Sequence, residues 1–115
     1  MAKSVLVVDD EPIVGAVLAR GLKDAGYEAV SCSSGQAALD LLRGQPFDLL
    51  ITDLRMPAMT GYELTKLARA QIPSLPVIHV TGWEPPATPP DTSIPVVMKP
   101  FEVEAILRIM EDLLK

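Results

Sequence analysis

A chain of 115 residues with 15 acids against 10 bases, net charge -5, has room for one domain. Its balance argues against direct nucleic-acid binding, which depends on lysines and arginines neutralising phosphates. A single cysteine, Cys32, excludes an internal disulfide or a multi-cysteine metal site, and no apolar stretch is long enough to read as a membrane span or secretory signal.

Residues 1–115 therefore read as one cytoplasmic domain with an aliphatic core, since 49% of the chain is hydrophobic and only 4% aromatic. The first expected strand is Val5 to Val8. A helix follows in which Pro12 fits the first turn, Ile13, Val17, Leu18 and Leu22 recur at helical spacing, and Gly26 supplies a stop. Ala29 to Cys32 is the second strand, with Cys32 as a small buried residue. Ser34 can cap a helix carrying Ala38, Leu41 and Leu42 that ends near Gly44 and Pro46. Leu49 to Thr52 is the third strand, and Gly61 to Ala70 a helix through Leu64, Leu67 and Ala68. Val77 to Val80 and Val96 to Met98 are the last strands, and a helix from about Val103 to Leu114 closes the chain. Nearly continuous apolar strands suit a parallel sheet covered on both faces. The segment between Thr81 and Lys99 breaks the alternation, because five of the eleven prolines fall there and no helical period is visible. It reads as a loop in place of the fourth crossover helix.

The polar residues that interrupt this pattern all sit at strand ends. Asp9 and Asp10 follow the first strand, Asp53 the third, Thr81 the fourth and Lys99 the fifth. In a parallel sheet those ends open on one crevice. Three carboxylates there repel one another and call for a cation. Oxygen-only donors favour Mg²⁺, which also accepts phosphate oxygens as ligands. Asp53 can then act as a nucleophile toward phosphorus, with Lys99 and the Thr81 hydroxyl serving phosphoryl oxygens. Taken singly, the acids also read as helix caps, the threonine as turn chemistry and the lysine as solvated surface. Their joint order and spacing favour the site. His79, the only histidine, reads as a packed side chain rather than a ligand.

The motifs VVDDEP, DLRMPAMTGYEL, VTG and KPF resemble those of two-component response-regulator receiver domains, which are CheY-like, and the likeness covers essentially the whole chain. The resemblance implies a flavodoxin-like doubly wound α/β fold with strand order 2-1-3-4-5. It implies Asp53 as phosphoacceptor, Asp10 bound to Mg²⁺ directly and Asp9 through water, the backbone carbonyl of Arg55 as a further ligand, and a cis Lys99-Pro100 bond. A sensor histidine kinase or histidine phosphotransfer protein would be the donor. Autocatalytic phosphoryl acceptance and loss would be its only chemistry, and the output an unknown downstream protein bound through the 82–95 loop.

Three departures stand out. Val96 replaces the usual aromatic, so no ring can follow Thr81 inward. The proline-rich segment removes part of a surface that many relatives use to dimerise, which leaves a monomer or weak dimer. With HVTGW, it loosely resembles a subgroup with a Thr-Gly-aromatic motif and a degenerate fourth helix. Arg55 and Trp83 lie two residues beyond Asp53 and Thr81, where they can either form a lid by cation–π stacking or remain loosely exposed. Two other readings stay open. One is a receiver-like scaffold that works without phosphorylation. The other is a Mg²⁺-dependent aspartyl-phosphate phosphatase of haloacid-dehalogenase type, against which Arg55 occupies the place of that family's second aspartate.

Overall fold

The computed structural model describes residues 2–83 and 93–115. Strands β1 (Ser4–Val8), β2 (Glu28–Cys32), β3 (Leu49–Asp53), β4 (Val77–Thr81) and β5 (Val96–Met98) form one parallel sheet in the order β2-β1-β3-β4-β5. Helices α1 (Pro12–Asp24), α2 (Gly35–Gly44), α3 (Gly61–Gln71) and α4 (Val103–Leu113) complete the described elements. This is the flavodoxin-like fold the sequence implies. The strands differ from expectation by at most one residue at an end, and β3 and β4 run on to take in Asp53 and Thr81.

Side chains alternate across the sheet and so build two cores. Val5, Val7, Leu49, Ile51, Ile78 and Val80 pack with Leu18 and Leu22 of α1 and Ile106 and Met110 of α4. Leu6, Val8, Leu50 and Val77 pack on the other face with Ala38 and Leu42 of α2 and Leu64 and Ala68 of α3. Each fully buried Val, Leu or Ile contributes about 1.5–3 kcal/mol relative to exposure, which favours apolar residues along the central strands, Thr52 and His79 being the buried polar exceptions within them.

The helix ends follow local chemistry. Pro12 opens α1, and Gly26, at φ 99°, takes the left-handed conformation that ends it, while the Tyr27 N–H donates to the Leu22 carbonyl at 3.0 Å. Ser34 caps α2 by accepting from the Ala37 N–H at 3.1 Å. Thr60 and Glu63 form a reciprocal capping box at the start of α3, with bonds of 3.0 and 3.1 Å.

Four expectations need correction. Ile13 and Val17 are 79% and 64% exposed rather than part of the α1 core stripe. At about 100° per residue their line lies roughly 140° around the helix from the Leu18–Leu22 line that faces the sheet. Leu67 of α3 is likewise exposed. β5 is not a buried strand: it pairs only with β4, its valines are half-buried and Met98 is exposed. Cys32 is half-buried and free, and burial raises its thiol pKa above the ordinary 9.0. No helix is described between β4 and β5, but the expected loop character of residues 84–92 lies outside the described residues.

Candidate functional site

Strand register turns sequence spacing into proximity. Val8 pairs with Thr52, so Asp9 and Asp53 come next, side by side on neighbouring strands. Thr81 pairs with Met98, and the Lys99 N–H donates to the Thr81 carbonyl at 2.8 Å. β1 and β3 flank the point where strand order reverses, which is where open α/β sheets present a ligand crevice.

Several of these side chains meet. The Lys99 ammonium donates to Asp9 Oδ2 at 2.8 Å and to Asp53 Oδ2 at 2.9 Å. Asp9, Asp10 and Asp53 each offer an oxygen, and these lie within 4.8 Å of one another. Asp9 and Asp53 are buried, and the other oxygen of each is held by a backbone N–H: Glu11 donates to Asp9 Oδ1 at 2.9 Å and Arg55 to Asp53 Oδ1 at 3.2 Å. Thr81 is buried as well, and its Oγ1 accepts from the Trp83 N–H at 3.1 Å. Its hydroxyl hydrogen can therefore serve an oxygen brought into the pocket. Lys99-Pro100 is cis.

Three carboxylates set against one ammonium leave two formal negative charges. Hard oxygen donors at this spacing fit a divalent ion of the Mg²⁺ type, since each carboxylate retains lone pairs beyond those used by Lys99. The adjoining hollow of about 150 Å³ is lined by Asp10, Asp53, Arg55, Gly82, Trp83 and Lys99. Pockets for ordinary small-molecule substrates run to roughly 300–1,000 Å³, so this one suits a phosphoryl group and little more.

Burial alone would lower the Lys99 pKa. Hydrogen bonds to Asp9 and Asp53, with the charges of both, outweigh it and leave the pKa raised above the ordinary 10.5. A raised folded-state value means that the stabilisation is complete below the unfolded value and is lost as pH rises through the folded one. The melting midpoint is thus expected to carry no Lys99-linked slope through neutral pH and to fall above about pH 10.5. Thermal melts of the parent and Lys99→Met check this: the alkaline component should be missing in the variant.

Of the residues singled out, Asp9, Asp10, Asp53 and Lys99 gather in one cluster, Thr81 ends the neighbouring strand, and the Arg55 guanidinium carbon lies 4.4 Å from the centroid of the Trp83 ring. His79 is packed as expected, with Nε2 2.8 Å from Thr65 Oγ1 and its ring edge-on to Tyr62. Since the Thr65 hydroxyl also donates to the Gly61 carbonyl at 2.8 Å, Nε2 carries the hydrogen of that pair. Sequence reasoning missed Gly61. Its N–H donates to the Leu54 carbonyl at 2.9 Å, and a Cβ there would overlap the Asp53 carbonyl oxygen. A glycine directly after an N-cap threonine was the available signal. The backbone N–H groups of Glu11, Arg55 and Trp83 left no signal in side-chain identity.

Residues 5–111 match the family described as response regulator receiver domain. The response regulator receiver protein CpdR of Brucella abortus (strain 2308) is 33% identical over 116 residues, which cover 97% of each chain. Chemotaxis protein CheY4 of Vibrio cholerae has a solved structure that superposes with a TM-score of 0.88 at 30% identity, covering 99% of this chain and 100% of that one. The structure of response regulator protein TrrA from Thermotoga maritima in complex with Mg(2+)-BeF gives 0.85 at 29% identity, over 97% and 99% of the two chains. Several other curated relatives, a sensor histidine kinase among them, are longer, and this chain spans 24% or less of their length.

Proposed function

The chain belongs to the response regulator receiver domain family, and from that premise we propose that it is a phosphorylation-dependent switch of a two-component system with Asp53 as its phosphoacceptor. The observation that carries this reading is the bridging Lys99 ammonium, 2.8 Å from Asp9 and 2.9 Å from Asp53, beside a third carboxylate on Asp10. Receiver domains interact with sensor histidine kinases or phosphotransfer proteins, and a phosphohistidine on such a partner is the proposed donor.

The Asp53 carboxylate attacks phosphorus in line, the P–N bond breaks, and the imidazole nitrogen leaves with the electron pair. Lys99 transfers its hydrogen bonds to phosphoryl oxygens, and the Thr81 hydroxyl donates to another. Asp9, Asp10, Asp53 and the Arg55 carbonyl are the proposed ligands of Mg²⁺, which when bound neutralises phosphoryl charge. TrrA in complex with Mg(2+)-BeF supports that choice of ion by likeness. Residues 1–115 act as one cytoplasmic unit, monomeric or weakly dimeric, whose only chemistry is gain and loss of its own phosphoryl group.

A phosphoryl group adds nearly two negative charges and several strong acceptors, enough to re-aim Thr81 and Lys99. The proposed output is altered binding of a downstream protein through residues 82–95, of which 84–92 lie outside the described residues. Intact mass after treatment with a small phosphodonor tests the proposal. One added phosphoryl group, mapped to Asp53 and dependent on Mg²⁺, is expected. No uptake would favour the scaffold, and multiple turnover on phosphomonoesters the phosphatase.

A further inference from the structure

The one imidazole of the chain is connected to Asp53 by a continuous run of hydrogen-bonded groups. His79 Nε2–H donates to Thr65 Oγ1 at 2.8 Å, and the Thr65 hydroxyl donates to the Gly61 carbonyl, also at 2.8 Å. The Gly61 N–H donates to the Leu54 carbonyl at 2.9 Å. On the other side of that same peptide, the Arg55 N–H donates to Asp53 Oδ1 at 3.2 Å. Leu54 closes the run into a ring, because its own N–H donates at 3.0 Å to the carbonyl of Val80, the residue after His79. The ring thus crosses β4, α3 and the end of β3. His79 and Thr65 are both buried, so water does not compete for their bond, and Tyr62 meets the imidazole edge-on at 5.4 Å.

We propose that His79 is a positioning residue for phosphoryl acceptance, which aims the Asp53 carboxylate by pinning the first turn of α3 through Thr65 and Gly61; this rests on the reading of Asp53 as phosphoacceptor. Asp53 is held by two donors, Lys99 on Oδ2 and the Arg55 N–H on Oδ1. The second sets the rotation of the carboxylate, and it belongs to a peptide whose carbonyl is fixed by Gly61. Gly61 opens α3, and a first helical turn frays unless something outside the helix secures it. The bond from His79 to Thr65 secures it to β4. A leucine or phenylalanine would fill the same buried space without the cost of covering a polar ring, but would bring no donor. A nucleophile displaced by a fraction of an ångström loses rate rather than donor affinity, since neither His79 nor Thr65 borders the hollow beside Asp53.

The test follows phosphoryl uptake by intact mass over a range of concentrations of a small phosphodonor, at saturating Mg²⁺. His79→Leu and Thr65→Val should each lower the maximal rate by about two- to tenfold, the range one buried hydrogen bond can supply, with the half-saturating donor concentration unchanged. The double variant should be no slower than the slower single, because both changes remove the same bond. His79→Gln puts an amide N–H near the place of Nε2 while discarding the ring, and should recover most of the parent rate. One observation needs no variant: His79 is the only histidine, so the ring nitrogen signals of the parent in NMR report its tautomer directly, and the hydrogen should sit on Nε2. Parent-like maximal rates, effects that multiply, a change confined to donor affinity, a glutamine variant as slow as the leucine one, or a hydrogen on Nδ1 alone would each overturn the positioning role. A parent chain that takes up no phosphoryl group would overturn the acceptor reading instead, and the positioning role with it.

Discussion

Asp53→Asn is expected to abolish phosphoryl uptake while leaving the fold intact. The amide matches the carboxylate in shape and can still accept from the Arg55 N–H, but it lacks the charge and electron pair that attack phosphorus. Stability should respond in a way that depends on magnesium. Without the ion, the substitution removes two repulsions, with Asp9 and Asp10, and one attraction, with Lys99, which keeps its bond to Asp9 at 2.8 Å. The cost of holding a charge at a buried position also disappears, so the variant should be at least as stable as the parent. Magnesium in hundredfold excess over its dissociation constant would stabilise the parent by about 2.7 kcal/mol through mass action. With one of three anionic ligands gone, most of that gain should vanish. Thermal melts with and without Mg²⁺ measure both effects, and equal stabilisation of the two proteins would mean that the ion does not sit on Asp53.

The legibility of this site in the sequence has a physical basis. A strand covered on both faces is mostly apolar, Thr52 and His79 being buried exceptions, so the charged residues Asp9, Asp53 and Lys99 mark strand ends as Thr81 does, and parallel order puts all such ends on one edge. What stayed hidden depends on phase and on strand order. Ile13 and Val17 keep an apolar 3–4 spacing yet lie off the buried line of α1, and choosing between lines needs the angle at which the helix meets the sheet. β5 reads like a central strand because valine favours edges and centres alike, and only its single pairing partner exposes it. The stack of Arg55 on Trp83 was one of two alternatives in the sequence, because two residues past a strand end fixes position but not side-chain direction. Close backbone approach was the least legible feature of all, since the absence of a side chain does not say which atoms need the room.

Gly61→Ala tests that last point, and its effect should be large for so small a change. The added methyl would overlap the Asp53 carbonyl oxygen, stand 2.9 Å from Leu54 Cα and 3.0 Å from the Asp53 carbonyl carbon. All three are backbone atoms, so no rotamer change relieves the clash and either α3 or the end of β3 must retreat. Retreat of α3 stretches the 2.9 Å bond from the Gly61 N–H to Leu54, and retreat of β3 moves the acceptor itself. A cost of about 3 kcal/mol, the upper part of the range for overpacking, is expected. Gly44→Ala supplies the matched control: it ends α2, is exposed, and a Cβ there meets nothing within 4 Å. That change should gain up to about 1 kcal/mol of helix propensity. The two variants should therefore shift the urea midpoint in opposite directions at constant slope. Under folding conditions Gly61→Ala should also take up phosphoryl groups more slowly than Gly44→Ala, because only the former displaces the peptide that carries Asp53. Equal midpoints would show that α3 can move aside freely, and that its contact with the acceptor loop carries no constraint.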